Sequence, residues 1–89
     1  MIKKTARIIN KLGLHARPSA ILVTATTRFK SEFFFSKDDL RVNGKSIMGV
    51  MMLAAEMGSQ LVVEADGPDE EEAMAEILRV IASGFGENT

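Results

Sequence analysis

The residues with the most chemistry in them lie in one short run, Gly13-Leu14-His15-Ala16-Arg17-Pro18. His15 is the only histidine in the chain. Its imidazole is a nitrogen nucleophile, and Arg17 two residues later carries a planar guanidinium whose donors match phosphate oxygens. Pro18 marks a first helical turn, where its missing N–H costs nothing, so His15 stands at a helix mouth where free backbone N–H groups attract an anion. Gly13 permits the tight turn that leads the chain in. A lone histidine is more often structural or merely exposed, but this setting holds what is needed to accept a phosphoryl group. A hydrolase or kinase would need more. No Gly-rich phosphate loop, carboxylate pair at metal-ligand spacing or activated serine is visible near His15. The run predicts a group carrier and no metal site.

The elements around it follow from periodicity. Residues 2–9 alternate as a first strand, with a turn at Asn10-Lys11-Leu12-Gly13. Apolar positions 18, 21, 22, 25 and 29 recur at helical spacing and predict a helix over 16–28. Glu32-Phe33-Phe34-Phe35-Ser36, a turn at 37–39 and Leu40-Arg41-Val42 read as a hairpin. Ser46 is a favoured N-cap for a short helix over 47–53. Residues 61–65 alternate as a fourth strand. Gly67-Pro68 opens a last helix with Asp69, Glu70, Glu71 and Glu72 in its first turn, facing solvent as dipole partners, and a buried stripe at 74, 77, 78, 81 and 85. The order β-α-β-β-α-β-α predicts an α+β fold with helices on one face of a mostly antiparallel sheet.

Composition narrows the classes. With 89 residues, 46% hydrophobic and 26% charged, the chain suits one small domain, residues 1–89, and is too apolar for disorder. No cysteine is present, which excludes disulfides, thiolate zinc sites and iron–sulfur clusters. Met1-Ile2-Lys3-Lys4 leads into no apolar run, so neither a signal peptide nor membrane insertion is expected and the cytoplasm is the default location. Residues 1–45 hold ten of the eleven Lys and Arg against three acids, a net +7, while residues 46–89 hold one against nine, a net −8. This split predicts opposite charged faces, one steering acidic protein partners. Nucleic acid is the weaker reading, because no Trp or Tyr is available for stacking and the basic residues are scattered.

Three blocks carry a family resemblance: Asn10-Lys-Leu-Gly-Leu-His15-Ala-Arg17-Pro18, then Lys45-Ser46-Ile-Met-Gly-Val-Met-Met-Leu53, then Gly67-Pro-Asp-Glu-Glu-Glu-Ala73. Together they resemble the HPr family of bacterial histidine phosphocarriers across essentially the whole chain. The resemblance implies an open-faced β-sandwich with strand order 1-4-2-3 and three helices. It implies that His15 takes phosphate on Nδ1 from enzyme I, itself charged by phosphoenolpyruvate, and passes it to an EIIA-type acceptor, with Arg17 stabilising the transferred group and no cofactor. The segment from Lys45 to Met51 resembles members whose serine is phosphorylated by HPr kinase/phosphorylase. The Asn10 lead-in, the 67–73 segment and Ser83-Gly84-Phe85 look like the NPr, nitrogen-branch relatives, so both circuits stay open.

Ser46 has two compatible readings, a helix cap worth about 1 kcal/mol and a regulatory phosphorylation site. The apolar residues of 47–54 exceed what one stripe of a two-turn helix buries, so some must face outward. Ile47, Met48 and Met51, with Ala16, Arg17 and Ala20 beside His15, are the expected docking residues of a monomer that meets several partners. A non-transferring α+β interaction module is the alternative from another class.

Overall fold

The computed structural model describes residues 1–87. Its elements are β1 (Ile2–Arg7), α1 (Ala16–Thr26), β2 (Glu32–Lys37), β3 (Leu40–Asn43), α2 (Ile47–Met52), β4 (Gln60–Asp66) and α3 (Glu70–Ala82), followed by a 3-10 turn over Gly84–Gly86. The four strands form one antiparallel-paired sheet in the order β1-β4-β2-β3. β1 and β2 are joined through α1, which leaves a one-strand gap between them. β4 fills that gap, with Lys4 opposite Val63 on one side and Phe35 opposite Val63 on the other.

One sheet face makes the core. Leu61, Val63 and Ala65 of β4 and Phe33 and Phe35 of β2 are buried, as a period of two requires. The two phenyl rings stack with centroids 6.2 Å apart. Leu22, Val23 and Ala25 of α1, Val50 of α2, and Ala73, Met74, Ile77, Val80 and Ile81 of α3 close over them. The other sheet face is open, and there the guanidinium of Arg41 lies 3.8 Å over the Phe34 ring and donates to Glu64 at 3.0 and 3.3 Å.

That pairing corrects the charge expectation. The strand order places acidic β4 beside basic β1, so Lys3 stands opposite Glu64, which also accepts from Arg41 of β3, and charges of the two halves interleave on the sheet instead of forming opposite faces. The acidic run is corrected too. Asp69 precedes α3, and its carboxylate accepts from the backbone N–H groups of Lys30 and Ser31, both at 2.9 Å, and from the Ser31 hydroxyl. These bonds, the Ser31 hydroxyl foremost, hold its carboxyl below the usual range. Glu70 accepts from the Gly67 N–H at 3.1 Å and meets the terminal ammonium at 3.2 Å, which leaves only Glu71 and Glu72 fully to solvent.

Element ends shift by a few residues from the sequence reading. β1 stops at Arg7, two residues early, although fully buried Ile8 continues the inward alternation of Ile2 and Ala6 and exchanges backbone bonds with Gly58 and Ser59. α1 ends at Thr26, whose hydroxyl donates to the carbonyl oxygens of Val23 at 3.0 Å and of Gly44 at 2.7 Å. Ser19 and Thr26 are therefore buried polar residues that an apolar stripe does not reveal.

Candidate functional site

The loop between β1 and α1 is held at two buried residues. Asn10 is fully buried, and its Nδ2 donates to the Gly13 carbonyl at 2.8 Å, while the Gly13 N–H returns to the Asn10 carbonyl at 3.2 Å. The Leu14 N–H donates to the Ala55 carbonyl at 2.8 Å, and the Leu14 side chain is buried. Gly13 sits at φ +67°, and a Cβ there would lie 2.2 Å from the Ala55 oxygen. The loop thus presses bare backbone against the segment that leaves α2. Ala54, within that segment, adopts φ +49°, a left-handed conformation unusual for a residue with a Cβ.

His15 follows as the N-cap of α1, with extended backbone and a side chain that caps nothing. The first helical bond runs from the Ser19 N–H to the His15 carbonyl at 3.0 Å, and Pro18 has no N–H. The amides of Ala16 and Arg17 lie ahead of that bond, at the positive end of the helix. The imidazole is about a third exposed. Its Nε2 lies 2.9 Å from Glu87 Oε2, and Nδ1 has no hydrogen-bond partner among the described residues. The second Glu87 oxygen, Oε1, accepts from Asn10 Nδ2 at 2.9 Å. Glu87 is brought there by the Gly84–Gly86 turn, whose Phe85 is buried at φ +59°. The Asn10 amide first, then the His15 ring and the Arg17 charge, hold the Glu87 carboxyl below the usual range against partial desolvation. Arg17, exposed, shares a shallow hollow with Lys11, Leu12, Gly86 and Glu87.

Ser46 caps α2 by accepting the Gly49 N–H at 3.0 Å on Oγ. Val50 is the buried residue of α2, while Ile47, Met48 and Met51 are 43%, 76% and 41% exposed. Met52, which the sequence reading passed over, is 66% exposed and extends the same apolar surface. Ala16 is exposed, and Ala20 is half-buried along the groove between α1 and α3. Among the described residues no group of three or more His, Cys, Asp or Glu side chains could hold a metal ion, and no helix is long and apolar enough to cross a membrane.

Two site residues escaped the sequence reading, Asn10 and Glu87. Asn10 read as part of a turn, and nothing local sets Glu87 apart from the other acids. Only the pairing of an unusually placed buried amide with a lone carboxylate after a Gly-Phe-Gly turn could have drawn notice.

The family model described as the PTS HPr component phosphorylation site matches residues 2–83. The phosphocarrier protein HPr of Neisseria meningitidis serogroup B is 53% identical over 87 residues, 98% of each chain. HPr of Thermoanaerobacter tengcongensis superposes with a TM-score of 0.95 at 44% identity, covering each chain completely. A dimer of HPr from the same organism matches with a TM-score of 0.78 at 45% identity, over 98% of this chain and 100% of that one. From sequence, fold and relatives together, the chain belongs to the HPr family, the phosphocarrier proteins of the phosphotransferase system, which carry a phosphoryl group and are not enzymes.

Proposed function

We propose that His15 is the residue that carries the phosphoryl group, receiving it from enzyme I and passing it to an EIIA-type acceptor. One observation carries this reading: Nδ1 of a partly exposed imidazole stands without a hydrogen-bond partner among the described residues, at the mouth of an 11-residue helix. The Nδ1 lone pair attacks phosphorus, the donor's bond to phosphorus breaks, and the electron pair leaves with the donor. The amides of Ala16 and Arg17 and the helix dipole then stabilise the dianionic group, and the exposed Arg17 guanidinium closes on its oxygens.

The test is intact mass after incubation with phosphoenolpyruvate and enzyme I. The wild-type chain gains one acid-labile phosphate and His15→Ala gains none while keeping its fold. Arg17→Ala transfers more slowly but measurably, because the helix amides remain. Phosphate uptake by His15→Ala would refute the reading, and a non-transferring module would show no uptake in the wild type either.

Partner docking is assigned to Ala16, Arg17, Ala20, Ile47, Met48 and Met51. Their support is the exposure of an apolar surface on α2, beside a loop already bonded to the segment leaving that helix. Ser46 adjoins this surface, so phosphorylation by an HPr kinase/phosphorylase would place a dianion at its edge while still satisfying the amides of α2. Ser46→Asp should weaken enzyme I binding at low salt more than at high salt. The chain is proposed to work as a monomer in the cytoplasm. A stable dimer by light scattering at micromolar concentration would overturn the first of these.

A further inference from the structure

Glu87 has no role in the reading above, yet its carboxylate is the best-held polar group at the site. Each oxygen accepts one hydrogen bond at 2.9 Å, Oε1 from Asn10 and Oε2 from the His15 ring. The Asn10 amide can be oriented in one way only, since Nδ2 faces two acceptors, the Gly13 carbonyl at 2.8 Å and Glu87. That orientation leaves the buried Asn10 Oδ1 with no partner among the described residues. A buried acceptor without a partner is destabilising, so the arrangement favours holding the carboxylate over satisfying the amide.

We propose that Glu87, fixed by Asn10, is a positioning residue for phosphoryl transfer, keeping the ring proton on Nε2 so that the Nδ1 lone pair is free to attack. The proposal rests on the reading of His15 as the phosphoryl carrier. A carboxylate can only accept, so the ring nitrogen facing it must be the one that bears hydrogen. When the Nδ1–P bond forms, the donor retains the electron pair of the broken bond, the proton stays on Nε2, and the ring becomes cationic. The carboxylate then faces a positive charge that did not exist before, and it stabilises that charge with no rearrangement. On transfer to the acceptor the Nδ1–P bond breaks, its electron pair returns to Nδ1, and the ring is neutral with the same proton still in place.

The experiment compares Glu87→Gln with Glu87→Ala, and the chemistry orders them against intuition. Glutamine offers one acceptor and one donor where glutamate offers two acceptors. Asn10 is already locked by Gly13, so in Glu87→Gln the side-chain oxygen goes to Asn10 and the amide N–H points at His15 Nε2. The ring must then accept there and carry its proton on Nδ1, the wrong tautomer for attack. Alanine imposes neither tautomer. Ring 15N shifts of His15 should therefore show Nε2 protonated in the wild type and mainly Nδ1 protonated in Glu87→Gln, with Glu87→Ala between. The rate of phosphate uptake from enzyme I should fall about tenfold or more in Glu87→Gln and less in Glu87→Ala. Amide spectra of the sheet confirm that both variants are folded. A glutamine variant as fast as the alanine variant, or with its proton still on Nε2, overturns the proposal. His15→Ala is run alongside, because phosphate uptake there would instead remove the underlying reading.

Discussion

Adding one methyl group at Gly13 should do more harm than its size suggests, and the structure says by how much. Alanine at φ +67° pays the left-handed backbone cost of roughly 1–2 kcal/mol. Its Cβ would also lie 2.2 Å from the Ala55 oxygen and 2.7 Å from Glu56 Cα, where ordinary contact begins at 3.4 Å. Both neighbours are backbone, so the loop must retreat by roughly 1 Å and stretch the 2.8 Å bond from the Leu14 N–H to Ala55, a further ~0.5–1.5 kcal/mol. The expected loss is roughly 1.5–3.5 kcal/mol, or about 6–28 °C in Tm for a chain of this length. Gly58→Ala is the control, since it too has positive φ, +91°, but nothing lies within 4 Å of its Cβ position. Urea unfolding of the two variants isolates the contact from the backbone cost. Gly13→Ala should be the less stable by about 0.5–1.5 kcal/mol with an unchanged m value. Its phosphate uptake should also slow by about 10²-fold, because the displaced segment leads directly into His15. Equal stability of Gly13→Ala and Gly58→Ala would refute the reasoning.

Ser46→Ala removes the oxygen that accepts the Gly49 N–H and should cost about 1 kcal/mol in thermal or urea unfolding, with phosphate uptake at His15 little changed. Ala54→Gly relieves the left-handed strain at φ +49° and should stabilise the chain by up to about 1 kcal/mol, read as a higher urea midpoint. The carboxyls of Glu64, Asp69, Glu70 and Glu87 are all held below their ordinary values, by Arg41, the Ser31 hydroxyl, the Gly67 N–H and the Asn10 amide respectively. Because the native values lie below the unfolded ones, stability is fully present above about pH 5 and falls as pH drops through the native values. Urea midpoints from pH 7 down to pH 2 should trace that fall, and Asp69→Asn should make it shallower.

Much of this arrangement is legible in the sequence because local and global signals agree. The Glu32–Ser36 strand and the Ser46 cap each state their own placement, and the strand order is the one the family resemblance implies. What sequence hides has a physical reason in each case. Ser19 and Thr26 are buried because their hydroxyls bond to backbone carbonyls, which hydropathy cannot register. Asp69 is bonded to residues 38 and 39 positions earlier, and Glu87 meets His15 and Asn10 across 72 and 77 positions. Such pairings depend on how the chain is threaded. The charge split fails for the same reason, since strand order, and not position along the chain, decides which charges become neighbours.

The central place of β4 also dictates a timetable for the newborn chain. β1 and β2 can find their shared neighbour only when residues 60–66 have been made, and at about 5–20 residues per second that is some 3–12 s after β1. Through that interval β1 lacks a strand partner, its backbone donors and acceptors are bonded to water, and it is free to pair with another strand it meets. Two neighbouring nascent chains could each lend β1 to the other's β4, and synthesis slowed between residues 8 and 60 should raise the yield of such exchanged pairs.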